Sequence, residues 1–246
     1  MIVYGINPVL EALRAGRATA LRVAGREDAR LASVLALARS HGVPVTRVPD
    51  DVLARTARHG AHQGIIAEIT APRRYTVEEL VRDASGPALL VVLDGIEDPQ
   101  NLGAILRTAD AAGVHGVVRQ TRRSAALEGA AAKASAGALA HIRLAEVVNI
   151  ARALGELKDA GVWTVGLDGE ATTPYTAIDY TAPSAIVLGA EGVGLRRLVR
   201  ERCDHLAAIP MHGHVESLNV SVAAGVVLFE ASRQRSQPGR AGTAGM

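Results

Sequence analysis

Apolar runs and helical periodicities alternate along this chain. Leu89–Leu93 (LLVVL) is continuously apolar, as expected of a strand buried on both faces of a parallel sheet. Shorter strand-like runs recur at Gly116–Val118, Val162–Leu167, Ala185–Leu188 and Leu206–Ile209. Between them, Asn101–Ala112, Val148–Ala160, Leu195–Glu201 and Leu218–Arg235 read as helices. Alternation of this kind predicts an α/β fold with a mainly parallel sheet. The first 70 residues predict a smaller α/β unit. Asn7-Pro8 reads as a helix start, with Asn as the cap and Pro in the first position, and Val9, Leu10 and Leu13 as the apolar face. Leu31, Val34, Leu35 and Ala38 recur at helical spacing until Gly42 stops the helix. Leu21–Ala24, Val43–Val48 and Gly64–Ile69 read as strands, and Asp50–Ala57 as a helix. The expected organisation is therefore a small domain over 1–70, a linker over 71–85, a larger domain over 86–235 and a disordered Gly/Pro/Ser-rich tail over 236–246. Within the linker, Thr76 with Glu79 forms a capping box for a short helix.

Composition narrows the classes. No apolar run approaches the roughly 20 residues that span a bilayer, and the first residues show no signal peptide. The single cysteine, Cys203, leaves no internal disulfide and no Cys-based zinc cluster. A cytoplasmic protein with no metal and no membrane partner is expected. Net charge is +2, but residues 1–75 carry 11 Arg against 6 acids and residues 76–246 carry 16 basic against 19 acidic residues. A basic first third is compatible with polyanion binding. All cations but Lys133 and Lys158 are arginines, and the chain has one Phe, one Trp and four Tyr. An aromatic base-stacking surface is not expected.

Three stretches carry the chemistry: Asp94–Thr108 (DGIEDPQNLGAILRT), Val187–Leu195 (VLGAEGVGL), and Ile209-Pro210-Met211 with Glu216–Ala223 (ESLNVSVA). Each begins where a predicted strand ends, which is where ligands bind in parallel sheets. In the first, Asn101 and Arg107 are six apart, within about 120° on a helix, and Gly103 admits a backbone or a ligand. Arg107 is either a structural arginine that snorkels or pairs, or a ligand-facing cation. The second stretch is not a dinucleotide fingerprint: its glycines are wrongly spaced, and Glu191 inside the turn would repel pyrophosphate. A neutral or cationic ligand suits it better. In the third, Ser217, Asn219 and Ser221 exceed what one helix cap requires. The His59–Gly64 loop reads either as a phosphate or base contact or as a simple turn.

Taken together, these stretches resemble the three motifs of the SpoU/TrmH family of SPOUT RNA 2′-O-ribose methyltransferases, and the YGINPVLEAL and HQGI segments resemble that family's small substrate-binding domain. The resemblance is closest to enzymes that methylate a guanosine ribose in the peptidyl-transferase P-loop of 23S rRNA. It implies a ribosomal-protein-like α/β fold at the N-terminus, a deep trefoil knot in the C-terminal domain, S-adenosylmethionine as cofactor and a homodimer. By motif, it implies cofactor contacts at Gly189, Ile209 and Leu218. It places Asn101, Arg107, Glu191, Ser217 and Asn219 near the reacting ribose. Lys133–Ala138 (KASAGA) resembles the family's Lys-x-Ser-x-Gly-Ala segment. The family's proposed role for the motif-one arginine is deprotonation of the 2′-hydroxyl. Because guanidinium is essentially always protonated, a phosphate clamp is the better physical expectation for Arg107.

Other readings differ in testable ways. The motifs also serve tRNA and other rRNA loops. A non-catalytic RNA-binding ribosome assembly factor would have no need of an intact Asn101, Arg107, Ser217 and Asn219. A nucleotide-dependent oxidoreductase would need the glycine fingerprint that is missing.

Overall fold

The computed structural model describes residues 1–25, 29–57, 60–70, 73–122, 124–127 and 130–236. The elements in chain order begin with β1 (Ile2–Tyr4), α1 (Ile6–Arg14), β2 (Ala18–Val23), α2 (Ala29–Ser40), β3 (Val45–Arg47), α3 (Asp50–Thr56) and β4 (Ile65–Ile69). They continue with β5 (Arg74–Tyr75), α4 (Val77–Arg82), β6 (Leu89–Asp94), α5 (Pro99–Ala111), β7 (Gly116–Gln120), α6 (Ala130–Ala134) and β8 (Leu144–Val147). The last are α7 (Ile150–Asp159), β9 (Trp163–Leu167), β10 (Ser184–Gly189), α8 (Arg197–Arg202), β11 (His205–Ala207) and α9 (Val220–Ser236). By packing, the chain forms two compact units. One contains Met1–Arg74, Ile96–Asp110 and Arg123–Arg143; the other contains Tyr75–Gly95, Ala111–Arg122 and the residues from Leu144 on. Residues 237–246 of the expected tail and Ala71 and Pro72 of the expected linker lie outside the described residues.

The first unit holds a four-stranded sheet in the order β1-β4-β2-β3, antiparallel except for the β2–β3 pair. Asn7 is not the cap of α1, contrary to the expectation from Asn7-Pro8. The helix starts two residues earlier, at Ile6 behind Gly5 at φ 92. The missing cap comes from far along the chain: the Gln63 side-chain oxygen accepts the Ile6 N–H at 3.0 Å. That explains part of the Gly/His-rich loop. Gly60 lies against the Tyr4 ring so closely that a methyl there would fall 2.4 Å from the Tyr4 hydroxyl. His59 lies outside the described residues. The segment after α6 is bound to the same unit. Arg17 donates to the Leu139 carbonyl at 2.9 Å and to the Thr70 carbonyl at 3.1 Å.

The second unit holds a seven-stranded sheet in the order β11-β9-β10-β6-β7-β8-β5, parallel from β11 to β8. β6, expected to be buried on both faces, is buried at all its residues. On one face Leu90 and Val92 pack with Val77 and Leu80 of α4 and Ile150, Leu154 and Leu157 of α7. The Thr76–Glu79 capping box forms as predicted. The stretch 71–85, expected as linker, contains α4 and β5, an edge strand only two residues long. Ahead of the two central strands, β6 and β10, Arg235 donates to four carbonyls, those of Pro87, Ala88, Tyr180 and Ala182. One guanidinium thus joins the segments that lead into both strands.

Asp204 ties β9 to the turn before β11. Its carboxylate accepts the Thr164 N–H (3.0 Å), the Thr164 hydroxyl (2.7 Å) and Lys158 Nζ (2.9 Å). Burial pushes this carboxyl up, but those bonds and the Lys158 charge outweigh it and hold it below its ordinary 3.8. A depressed folded value means that the stabilisation is complete above the unfolded value and is lost as pH falls through the folded one. Asp204→Asn should therefore lower the melting temperature at neutral pH and shrink the loss of stability seen on acidification below about pH 4. Thermal melts of both proteins across that range provide the check.

Candidate functional site

The parallel strands β9, β10 and β11 end around one cavity of about 470 Å³. Gly189, Glu191, Ile209, Ser217 and Leu218, five residues singled out from sequence, line it. Asn219 is joined to them by its amide, which donates to the Glu191 carboxylate at 2.7 Å. Asn219 also caps α9: its side-chain oxygen accepts the Ser221 N–H at 2.9 Å and the Ser221 hydroxyl at 2.6 Å. The cap reading of this residue holds, and its amide is left to bond Glu191. One end of the side chain starts the helix and the other orients a carboxylate.

The glycine turn is built by close approach. Ala190 and Gly194 exchange backbone hydrogen bonds at 3.1 and 2.8 Å, with Gly192 at φ 75 and Gly194 at φ 69. A methyl on Gly189 would lie 2.2 Å from the Gly194 carbonyl carbon and 2.4 Å from the Leu195 nitrogen. The turn folds back onto its own strand, so Gly189 has no space for a side chain. The carboxyl-bearing tip then projects at Glu191, which is exposed.

Behind the turn, Asp94 is 1% exposed. It accepts the Arg196 backbone N–H at 2.9 Å and Arg196 Nε at 2.7 Å, and pairs with the same guanidinium's Nη2. Arg196 also donates to the Gln120 side chain at 2.9 Å. The residue leading into α8 is thus fastened to the ends of β6 and β7. Neither this fastening nor the lining residues Asp168 and Glu170 is evident from the sequence, whereas Glu216, which also lines the cavity, opens part of the third stretch. A signal for Asp168 was nonetheless present, because Leu167-Asp168-Gly169 also begins where a strand ends. Arg200, the only cation among the lining residues, is paired to Asp168. Burial raises the Asp168 carboxyl, but the Arg200 hydrogen bond and charge and the Glu170 N–H outweigh it and hold it below its usual range.

The cavity is therefore part apolar, with Leu167, Leu188, Leu195 and Met211, and part acidic. Cys203 is not among the residues that line the cavity. Burial and the Asp204 and Asp94 charges push its thiol up to about 12. Among the described residues, no group of three or more His, Cys, Asp or Glu could hold a metal ion.

Asn101 and Arg107 lie on α5 in the first unit. Asn101 is buried; Arg107 is exposed, and its side chain makes no hydrogen bond or ion pair with a described residue. Gly103 faces a backbone rather than a ligand. A methyl there would lie 2.4 Å from Ala134 Cβ and 2.6 Å from the Ala131 carbonyl oxygen, so α6 rests directly on α5.

Comparison with known proteins gives a consistent set of relatives. Residues 88–229 match the family described as SpoU rRNA Methylase, and residues 2–75 match the one described as RNA 2′-O ribose methyltransferase substrate binding. A 23S rRNA (guanosine-2′-O-)-methyltransferase RlmB from Burkholderia sp is 44% identical over 238 residues, covering 95% of this chain and 96% of that protein. An uncharacterized tRNA/rRNA methyltransferase from Mycolicibacterium vanbaalenii is 48% identical over 240 residues, covering 95% of this chain and 76% of that one. Among solved structures, the SpoU methyltransferase AviRb from Streptomyces viridochromogenes, in complex with the cofactor AdoMet, superposes with a TM-score of 0.81 at 25% identity, covering 96% of this chain and 90% of that one. An AdoMet-bound rRNA methyltransferase from Sinorhizobium meliloti gives 0.76 at 28% identity, covering 94% and 86%.

The turn geometry makes a direct prediction. Gly189→Ala should cost about 1–3 kcal/mol of unfolding free energy through overpacking. Gly192→Ala, with open space around it, should cost only the left-handed strain of roughly 1 kcal/mol. Urea unfolding of the two variants ranks them, and equal losses would mean that the turn can relax away from β10.

Proposed function

We propose that this chain, which belongs to the SpoU family of RNA 2′-O-ribose methyltransferases, transfers the methyl group of S-adenosylmethionine to the ribose 2′-hydroxyl of a guanosine in 23S rRNA, in the peptidyl-transferase P-loop. The observation that carries the reading is the acid-lined cavity at the strand ends. It offers an apolar slot, backbone groups and four carboxylates, and its one cation is already engaged. That set fits a sulfonium-bearing nucleoside and would repel a pyrophosphate. When bound, S-adenosylmethionine supplies an electrophilic methyl. The chain's own residues supply position, which in such a reaction is most of the catalysis. Gly189, Ile209 and Leu218 shape the slot. Asn219 holds the Glu191 carboxylate, and Ser217 adds a hydroxyl beside it. In this reading Glu191, Ser217, Asn219 and Asn101 orient the ribose. Arg107 clamps an RNA phosphate through its planar fork and stabilises the oxyanion that forms as the 2′-proton leaves.

The basic domain over 1–70 is read as the RNA-binding part, and the cytoplasm as the compartment. Among the described residues, no helix is long and apolar enough to cross a membrane. A deep trefoil knot belongs to the same reading. Its support is the order of the last strands, in which β11 lies beyond β9 while the following helix α9 packs on β10. A homodimer belongs to it as well. Leu218, Val222 and Phe229 recur at helical spacing at and along α9, and are 36%, 51% and 53% exposed. An apolar stripe of this kind marks an interaction surface.

Two measurements follow. Labelled methyl transfer to unmodified 23S rRNA and to unmodified tRNA, with the ribose mapped by primer-extension stops, should give a single stop in the 23S P-loop. Arg107→Ala should reduce transfer by about a hundredfold or more with cofactor affinity unchanged, and Arg107→Lys should recover only part, because the fork is lost. Methylation confined to tRNA would overturn the substrate, and loss of cofactor binding in Arg107→Ala would overturn the role. Separately, Phe229→Glu should shift the protein from dimer to monomer in light scattering; an unchanged mass would place the interface elsewhere.

A further inference from the structure

The KASAGA segment singled out in the sequence has no part in the reaction as described so far, and its geometry is unusually constrained. α6 ends in a reversal in which Ala136, a non-glycine, has φ 49 and Gly137 has φ 99. Ser135 is fully buried, with its hydroxyl donated to the Ala132 carbonyl at 2.8 Å. On one side, Gly103 of α5 is jammed against Ala131, Ala134 and the Ser135 nitrogen. On the other, Gly137 meets the side chain of Glu11, where a methyl would fall 2.3 Å from Cγ. Glu11 in turn pairs with Arg14 at 2.7 Å and approaches His141 at 3.4 Å. A short, otherwise marginal helix is thus fixed between α5 and α1.

What this arrangement holds in place is Lys133. It is exposed, and its side chain makes no hydrogen bond or ion pair with a described residue. It is one of only two lysines in the chain; the other, Lys158, is committed to Asp204. Arg107, likewise without a partner among the described residues, is a second exposed cation at the same junction. It lies one helical turn beyond Gly103, about 6 Å along α5 and about 40° around it, while Lys133 precedes Ala134 by one Cα step of about 3.8 Å. The two backbones are joined through Gly103 with no intervening side chain, so both long side chains start from fixed points within mutual reach.

We propose that Lys133 is a positioning residue that grips the RNA backbone together with Arg107, so that two cations on one rigid helix junction fix the phosphates flanking the target ribose. The two cations divide the work by chemistry. Arg107 presents a planar fork that sets an orientation, and Lys133 a point charge that tolerates rotation of the phosphate. The tight α5–α6 packing gives the pair a fixed spacing, which two flexible surface side chains would otherwise lack. This inference rests on the reading of the chain as an RNA methyltransferase and of Arg107 as a phosphate clamp.

The test compares wild type, Lys133→Ala, Lys133→Arg and Arg107→Ala as full chains. Each is assayed for S-adenosylmethionine affinity, for methyl transfer to an unmodified 23S rRNA fragment carrying the P-loop, and for binding of that fragment between about 50 and 200 mM salt. Lys133→Ala should weaken RNA binding about tenfold and raise KM more than it lowers kcat. It should also reduce the slope of log affinity against log salt by close to one, with cofactor affinity unchanged. Lys133→Arg should restore the salt slope. A wild-type slope and KM in Lys133→Ala would overturn the proposal and leave the methyltransferase reading intact. Loss of cofactor affinity in Lys133→Ala would also overturn it, by showing a structural role. If the wild-type chain neither binds nor methylates the fragment, both readings fall together.

Discussion

Everything at the cavity depends on one buried charge. Asp94 is the last residue of β6 and almost wholly removed from water. A carboxylate in that position must be paired and hydrogen-bonded, or the desolvation cost dominates. Arg196 provides the charge and two donors, and Gln120 holds the guanidinium from behind. Breaking such a pair costs roughly 3 kcal/mol, at the lower end because Arg196 remains partly exposed. Its larger effect is geometric. The glycine turn starts at the end of β10 and finishes at the fastened Arg196, so the path between is short and closed at both ends. Glu191 is carried on that closed path, and Asn219 then needs only one hydrogen bond to set its direction.

The cavity's electrostatics follow from the same economy of cations. The second unit contains many arginines, but those near the strand ends are consumed: Arg196 by Asp94 and Arg200 by Asp168. What remains facing the cavity is carboxylate. In the first unit Arg107 and Lys133 have no partner among the described residues. An acidic pocket suits a cationic cofactor, and exposed cations suit a polyanion.

Much of this was readable from the chain because the signals were local. LLVVL declared a doubly buried strand, Thr76 with Glu79 declared a cap, and each motif stretch began where an apolar run stopped. These depend on neighbours within a few residues. The misreadings have the opposite character. Asn-Pro is a good local signal for a cap at Asn7, yet the acceptor for the Ile6 N–H comes from Gln63, 57 positions beyond Ile6. Asp94 and Arg196 are 102 positions apart, and nothing in either neighbourhood announces the other. β5, with two residues, is too short to carry a period. Gly103 was rightly marked as a place of close approach, but the approaching group, α6, lies in a segment whose alanines give no face to read. Sequence pattern exposes what a residue needs; only the fold shows which distant residue answers it.

The arginine near the end of α9 reaches beyond its own helix. Its guanidinium satisfies carbonyls at Pro87 and Ala88, at the entrance of β6, and at Tyr180 and Ala182, before β10. None of these four residues lies within β6 or β10, whose own ladder runs from Ser184 beside Leu89 to Gly189 beside Asp94 without any help from Arg235. The last helix is therefore tied to the sheet at the entrances of its two central strands, the end away from the cavity. A single side chain there joins three separate stretches of chain, so whatever loosens α9 also loosens the approach to both strands.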